Sequence, residues 1–80
     1  MRFRDAVRST VQLLRQHPLV GPRYRLSNPQ LQNLRSWPVT GFEAIRIYYL
    51  LDDDIIRVIR ILHGKRDGKR TLERERLSDE

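Results

Sequence analysis

Between Val39 and Asp67 the chain reads VTGFEAIRIYYLLDDDIIRVIRILHGKRD, two long apolar stretches joined at Asp52-Asp53-Asp54. In the first, Ile45, Ile47, Tyr49 and Leu51 alternate with Ala44, Arg46, Tyr48 and Leu50. Both faces are therefore apolar with one cation inserted, the pattern of a central strand over about 43–51. In the second, strict alternation sets Ile55, Arg57, Ile59, Ile61 and His63 on one face and Ile56, Val58, Arg60 and Leu62 on the other. This predicts a strand over about 55–63, ended by Gly64. The three aspartates read as a tight hairpin connection, because short carboxylates satisfy local backbone donors and tolerate unusual dihedrals. They also suggest a divalent cation, but no spaced ligands follow them, and the turn is the stronger reading. A third strand is expected over about 34–39. Pro38 cannot complete its ladder and so marks an edge or an end, and Gly41 supplies the next turn.

The period changes in the first residues. Phe3, Ala6, Val7, Val11 and Leu14 recur at steps of three and four, predicting a helix over about 3–16 with these residues on one face and Arg4, Arg8 and Arg15 off it. Pro18 disfavours helical geometry at His17, which reads as a helix-end residue. Residues 17–33 hold three of the four prolines, Gly21, Ser27 and two asparagines, and read as a surface connection with a short turn at Pro29 to Asn33. The tail over 65–80 favours helix from Arg66 to Leu77. Only Leu72 and Leu77 are apolar there, too little to dock firmly, so a frayed or partner-ordered tail is expected.

Composition narrows what this α+β arrangement does. Eighty residues make one domain, and a domain of this size buries only about two thirds of its unfolded surface. There is no cysteine, hence no disulfide or thiolate metal site, and His17 and His63 lack the carboxylate spacing of a zinc site. No metal or cofactor is expected. Neither a signal peptide nor an apolar run of about 18 residues is present, so no membrane is expected and the cytoplasm is the expected compartment. The net charge is +6, and all basic residues except Lys65 and Lys69 are arginine, whose planar fork pairs with phosphate or carboxylate. The first 51 residues carry eight arginines against only Asp5 and Glu43, whereas the signs alternate from Lys65 onward. Such a surface is either simply solvated or a site for a polyanion or an acidic protein.

Candidate chemistry is sparse. No Ser/His/Asp or Cys/His set, glycine-rich phosphate loop or spaced carboxylate pair occurs, which disfavours hydrolysis by a conventional nucleophile or a metal. What remains is Arg46, Arg60, His63, Tyr48 and Tyr49. Arginines that hold a phosphodiester, with a histidine titrating near neutral pH, suffice in principle for 2′-hydroxyl attack on RNA without metal. The plainer alternatives stay open: His63 as a hydrogen-bonded strand end, Arg46 and Arg60 paired with Glu43, Asp53 or a partner, and Trp37 as core or helix-packing area.

The ordered series Leu34-Arg35-Ser36-Trp37-Pro38-Val39, then Ile45-Arg46-Ile47-Tyr48-Tyr49, an acidic turn, and Arg57-Val58-Ile59-Arg60-Ile61-Leu62-His63-Gly64-Lys65-Arg66-Asp67 resembles the RelE/ParE superfamily of bacterial toxins. The last run resembles its ParE-like branch. The match covers roughly residues 5 to 68. It implies helices packed on a twisted antiparallel sheet, in this chain one N-terminal helix on three strands with a short C-terminal helix or tail. It also implies the toxin component of a type II toxin–antitoxin, or plasmid stabilisation, system, neutralised by a cognate antitoxin. Family members usually begin with a further strand and helix, and both are missing from this chain. The sheet edge is then open to pairing with another chain, a second copy included.

The superfamily divides in activity: ParE-like members act on DNA gyrase, and RelE-like members cut messenger RNA on the ribosome. In the RNA-cutting branch an arginine on the middle strand and the end of the last strand carry the reaction, and Arg46 and His63 fall at comparable places, with Arg60 beside them. Gly64 stands where some such nucleases place a terminal tyrosine, which favours the ParE-like reading. Arg35, Arg57, Lys65 and Arg66 are the residues expected to contact a partner or nucleic acid. A third expectation is a truncated, non-toxic remnant that acts as a binding module.

Overall fold

The computed structural model describes residues 2–77. Helix α1 (Phe3–Gln16) is followed by a long connection with a 3-10 turn at Pro29–Leu31. Three antiparallel strands come next, β1 (Arg35–Val39), β2 (Phe42–Asp52) and β3 (Ile55–His63), in spatial order β1-β2-β3. A π-helical turn at Gly64–Gly68 then leads into the short helix α2 (Lys69–Glu73). The helix, the strands and the α+β class stand where the hydrophobic periods put them. The last three positions of the expected tail, 78–80, lie outside the described residues.

β2 is central and is buried on both faces. On one face Ile47 and Tyr49 join Ala6 and Leu14 of α1 and Val39 of β1, with Trp37 and Ile45 packed alongside. On the other, Tyr48 joins Leu31 and Leu34 of the connection and Leu72 of α2. α1 therefore covers only half of the sheet, and the connection and the C-terminal elements cover the rest. Thr10 is a polar residue on the buried face of α1. Its hydroxyl donates to the Ala6 carbonyl at 2.7 Å and accepts from the Thr40 amide at 3.1 Å, so it is satisfied both within the helix and across to the β1–β2 turn.

Turn chemistry follows the sequence closely. Gly41 has φ 80° between β1 and β2, and Asp53 has φ 57° in the β2–β3 hairpin, the left-handed region that aspartate tolerates better than most residues. β1 is an edge strand, as Pro38 requires, and its register shifts between Pro38 and Val39. The outer side of β1 is shielded by the connection, where the Tyr24 amide donates to the Leu34 carbonyl and the Ser36 amide to the Pro22 carbonyl. Among the described residues β3 has no strand on its outer side. Val58 and Ile61, opposite Tyr49 and Ile47, stay exposed.

Two expectations need correction. A β-bulge opposite Tyr48/Tyr49 breaks the strict alternation of β3, so Arg60 stands opposite Tyr48 and Arg57 opposite Leu50. Cross-strand partners share a face, and the extra residue at Ile59 therefore brings Arg57 and Arg60 to the same side of the sheet. The second correction concerns the tail, which docks within the chain through Leu77. Leu72 is fully buried. Nδ2 of the Asn28 side chain donates to the Leu72 and Glu75 carbonyls at 2.8 and 2.7 Å, and the Ser27 backbone amide donates to the Glu73 carboxylate. Two apolar residues suffice because polar contacts from the connection close the last carbonyls of α2. Leu72→Ala should lower unfolding free energy by about 2–4 kcal/mol in urea titration, while the exposed Arg70→Ala should change it by less than about 0.5 kcal/mol.

Candidate functional site

Among the described residues a cleft of about 720 Å³ opens between β2, the end of β3 and the C-terminal turn, lined by Tyr24, Arg46, Tyr48, His63, Lys65 and Lys69 among others. Arg46 is aimed by β1: its Nε and Nη2 donate to the Ser36 hydroxyl at 3.3 and 2.9 Å. His63 ends β3, and its Nδ1 accepts from the Arg66 amide at 3.2 Å, so the imidazole caps the turn that follows. The turn can close over the sheet only because it is bounded by glycines. A Cβ on Gly64 would sit 2.8 Å from Cδ of Arg46, and one on Gly68 would sit 2.6 Å from the Tyr48 hydroxyl. Lys65 and Lys69 are carried on this turn and the helix it starts.

Tyr48 and Tyr49 are adjacent on β2, point to opposite faces and are both fully buried, but their hydroxyls differ. Tyr49 Oη donates to the Pro18 carbonyl at 2.8 Å and accepts from the Gly21 amide at 3.1 Å, pinning the start of the connection. Tyr48 Oη has no partner among the described residues. Its ring meets Tyr24 edge to face at 5.1 Å between centroids. Burial raises both phenols above their ordinary value. The neighbouring Tyr24 adds to the shift at Tyr48 and the Arg46 charge opposes it, while the Gly21 hydrogen bond and the Arg35 charge oppose it at Tyr49.

The candidates chosen from sequence are distributed over several surfaces. Arg46, His63 and Lys65 come together in the first cleft. Arg60 lies in a separate cleft of about 470 Å³ with Arg70, Arg74 and Arg76, where its Nε donates to Glu75 at 2.6 Å. Neither Arg46 nor Arg60 pairs with Glu43 or Asp53; the Glu43 carboxylate accepts from the Gly41 amide instead. Arg35 is half-buried, and its Nη1 donates to the Gly21 carbonyl at 2.8 Å, which makes it a tether for the connection. Arg57 is exposed, and Arg66 lies 3.4 Å from the Asp67 carboxylate at an exposed site. His17 closes α1, its amide donating to the Leu13 carbonyl. Sequence reasoning missed Tyr24 and Lys69: the first lies in an aperiodic loop, and the second in a stretch of alternating charge. No group of three His, Asp or Glu residues able to hold a metal occurs among the described residues.

A family model described as the ParE toxin of type II toxin-antitoxin system, parDE, matches residues 1–68. The chain belongs to the ParE toxin family. No curated protein and no solved structure matches it. The ParE match takes in α1, the sheet and the whole Gly64–Gly68 turn, so every residue named in the first cleft except Lys69 lies inside it. ParE membership also implies a cognate antitoxin as partner. Among the described residues no helix is long and apolar enough to cross a membrane.

The two tyrosines separate in a stability experiment. Tyr49→Phe should cost about 1–3 kcal/mol in chemical denaturation, because the Gly21 amide and the Pro18 carbonyl lose a buried partner. Tyr48→Phe should be neutral or slightly stabilising, since it removes a buried group that has no partner. Because folding raises both phenol pKa values, the unfolded chain loses its protons first. Stability should hold below about pH 10 and fall as pH rises above it, with a shallower fall in either Phe variant.

Proposed function

We propose that this ParE-family chain is the toxin of a two-component system that acts by binding DNA gyrase and is neutralised by a cognate antitoxin with acidic side chains. The observation that carries this reading is the outer side of β3, which has no strand on it among the described residues and leaves Val58 and Ile61 exposed. Of the three residues considered for RNA cleavage, Arg60 is held by Glu75 in a cleft of its own, away from Arg46 and His63. Metal-independent RNA cleavage needs an acid–base group and charge stabilisation converging on one phosphodiester. Binding a protein target needs surface instead. The unpaired outer side of β3, with Val58 and Ile61 exposed and Arg57 nearby, supplies backbone donors and acceptors, apolar area and positive charge for a partner.

A second reading, a ribosome-dependent messenger RNA endonuclease, is favoured by one feature: Arg46 and His63 line the same cleft. The two readings separate in purified systems. Added to gyrase, ATP and relaxed plasmid, the chain should reduce supercoiling and accumulate cleaved DNA after denaturation, and stoichiometric antitoxin should abolish both effects. An unaltered gyrase reaction, together with truncated messenger on translating ribosomes, would establish the second reading in place of the first.

A further inference from the structure

We infer that the cleft between β2 and the Gly64–Gly68 turn is a binding site for a phosphorylated nucleotide. This goes beyond action on gyrase and does not depend on it. Four observations converge. The first is charge: Arg46, Lys65 and Lys69 face the cleft against a single carboxylate, Glu43. Three cations against one anion leave a surplus of two positive charges, which matches a phosphate monoester carrying about −1.5 to −2 at neutral pH better than a single carboxylate. The second is the set of donors. Arg46 uses Nε and Nη2 on Ser36 and keeps Nη1 without a partner among the described residues. With Nδ1 of His63 accepting from the Arg66 amide, the neutral ring carries its proton on Nε2. Both lysines are exposed and rotatable.

The third observation is the Tyr48 hydroxyl, fully buried behind the turn and without any partner among the described residues. An orphaned buried phenol is costly, and a ligand oxygen, or a water held by one, gives it an acceptor. Because burial keeps it protonated, it is available as a donor. The fourth is size and shape. About 720 Å³ lies within the roughly 300–1,000 Å³ range of small-molecule sites and exceeds what an inorganic ion fills. The lining also contains Tyr24, an aromatic surface on which a base can stack.

Three probes test the site on the full chain by NMR titration, read at the amides of His63, Gly64 and Lys65: inorganic phosphate, AMP, and a 5′-phosphorylated tetranucleotide. AMP should bind saturably at about micromolar to millimolar concentration and more tightly than phosphate. Lys69→Ala or Lys65→Ala should weaken AMP about tenfold, with no change in thermal midpoint beyond that of a surface substitution. Tyr48→Phe should weaken AMP several-fold while leaving the fold intact. A tetranucleotide that binds more tightly than AMP identifies the end of a nucleic acid as the ligand, and equal affinities identify a free nucleotide; both support the site. Absence of saturable binding by AMP and by the tetranucleotide would overturn it. So would AMP affinity unaffected by the lysine variants, or occupancy of the cleft by a Glu/Asp-rich peptide alone, which would make it a protein-docking site. Gyrase inhibition is scored separately, so loss of either result leaves the other standing.

Discussion

The burial of β2 on both faces is the constraint from which the rest of this chain is organised. A strand with Ile47 and Tyr49 on one side and Tyr48 on the other cannot be covered by one 14-residue helix. α1 takes the first face. The second is closed by segments that look irregular in sequence: the Leu31–Leu34 region of the connection and Leu72 of α2. These pieces are too short to stand on their own, and they hold because Asn28 and Ser27 clamp the carbonyls and carboxylate of the C-terminal helix. In a domain this small, where each element is a large share of the core, such clamps do what a second helix would do in a longer chain.

The same closure makes the cleft. To reach Leu72 after β3, the chain must turn tightly over Tyr48, and the π-helical turn that does so requires the small residues Gly64 and Gly68 against Arg46 and Tyr48. The turn brings Lys65 and Lys69 over a sheet face that already holds Arg46. Positive charge is thus concentrated by backbone geometry, where it meets apolar walls that reduce screening. Arg60 stands on the same sheet face, opposite Tyr48, but is paired with Glu75 in a separate cleft. The two proposed modes of action, binding a protein and cutting RNA, place different demands on these surfaces: an exposed strand edge for the first, a convergent cleft for the second.

Much was legible from residue order alone. The period of 3.6 over Phe3–Gln16 and the period of two over β2 report which side of each element meets an apolar layer, and that depends only on local spacing. Pro38, Gly41 and Asp53 act through their own backbone preferences, so their roles follow from identity, and the ordered runs from Leu34 to Asp67 carried the family resemblance. The β3 bulge was not legible. An extra residue leaves composition unchanged and is specified by the partner strand, and it reverses which arginines are neighbours. Nor was the docking of the tail, because Leu72 and Leu77 are too few to announce a core, and the contacts that compensate come from Asn28, Ser27 and Gln30, more than 40 residues earlier.

The sequence by itself therefore determined the elements, the faces of α1 and β2, the family and the excess of arginine, all properties of residue identity and local period. Only the tertiary structure decided which cations share a cleft, which are spent as tethers, as Arg35 is, and which of two adjacent tyrosines keeps an unpartnered hydroxyl. The physical reason is that these depend on register, on a bulge and on contacts between segments distant in the chain, where a shift of one residue exchanges one face of a strand for the other.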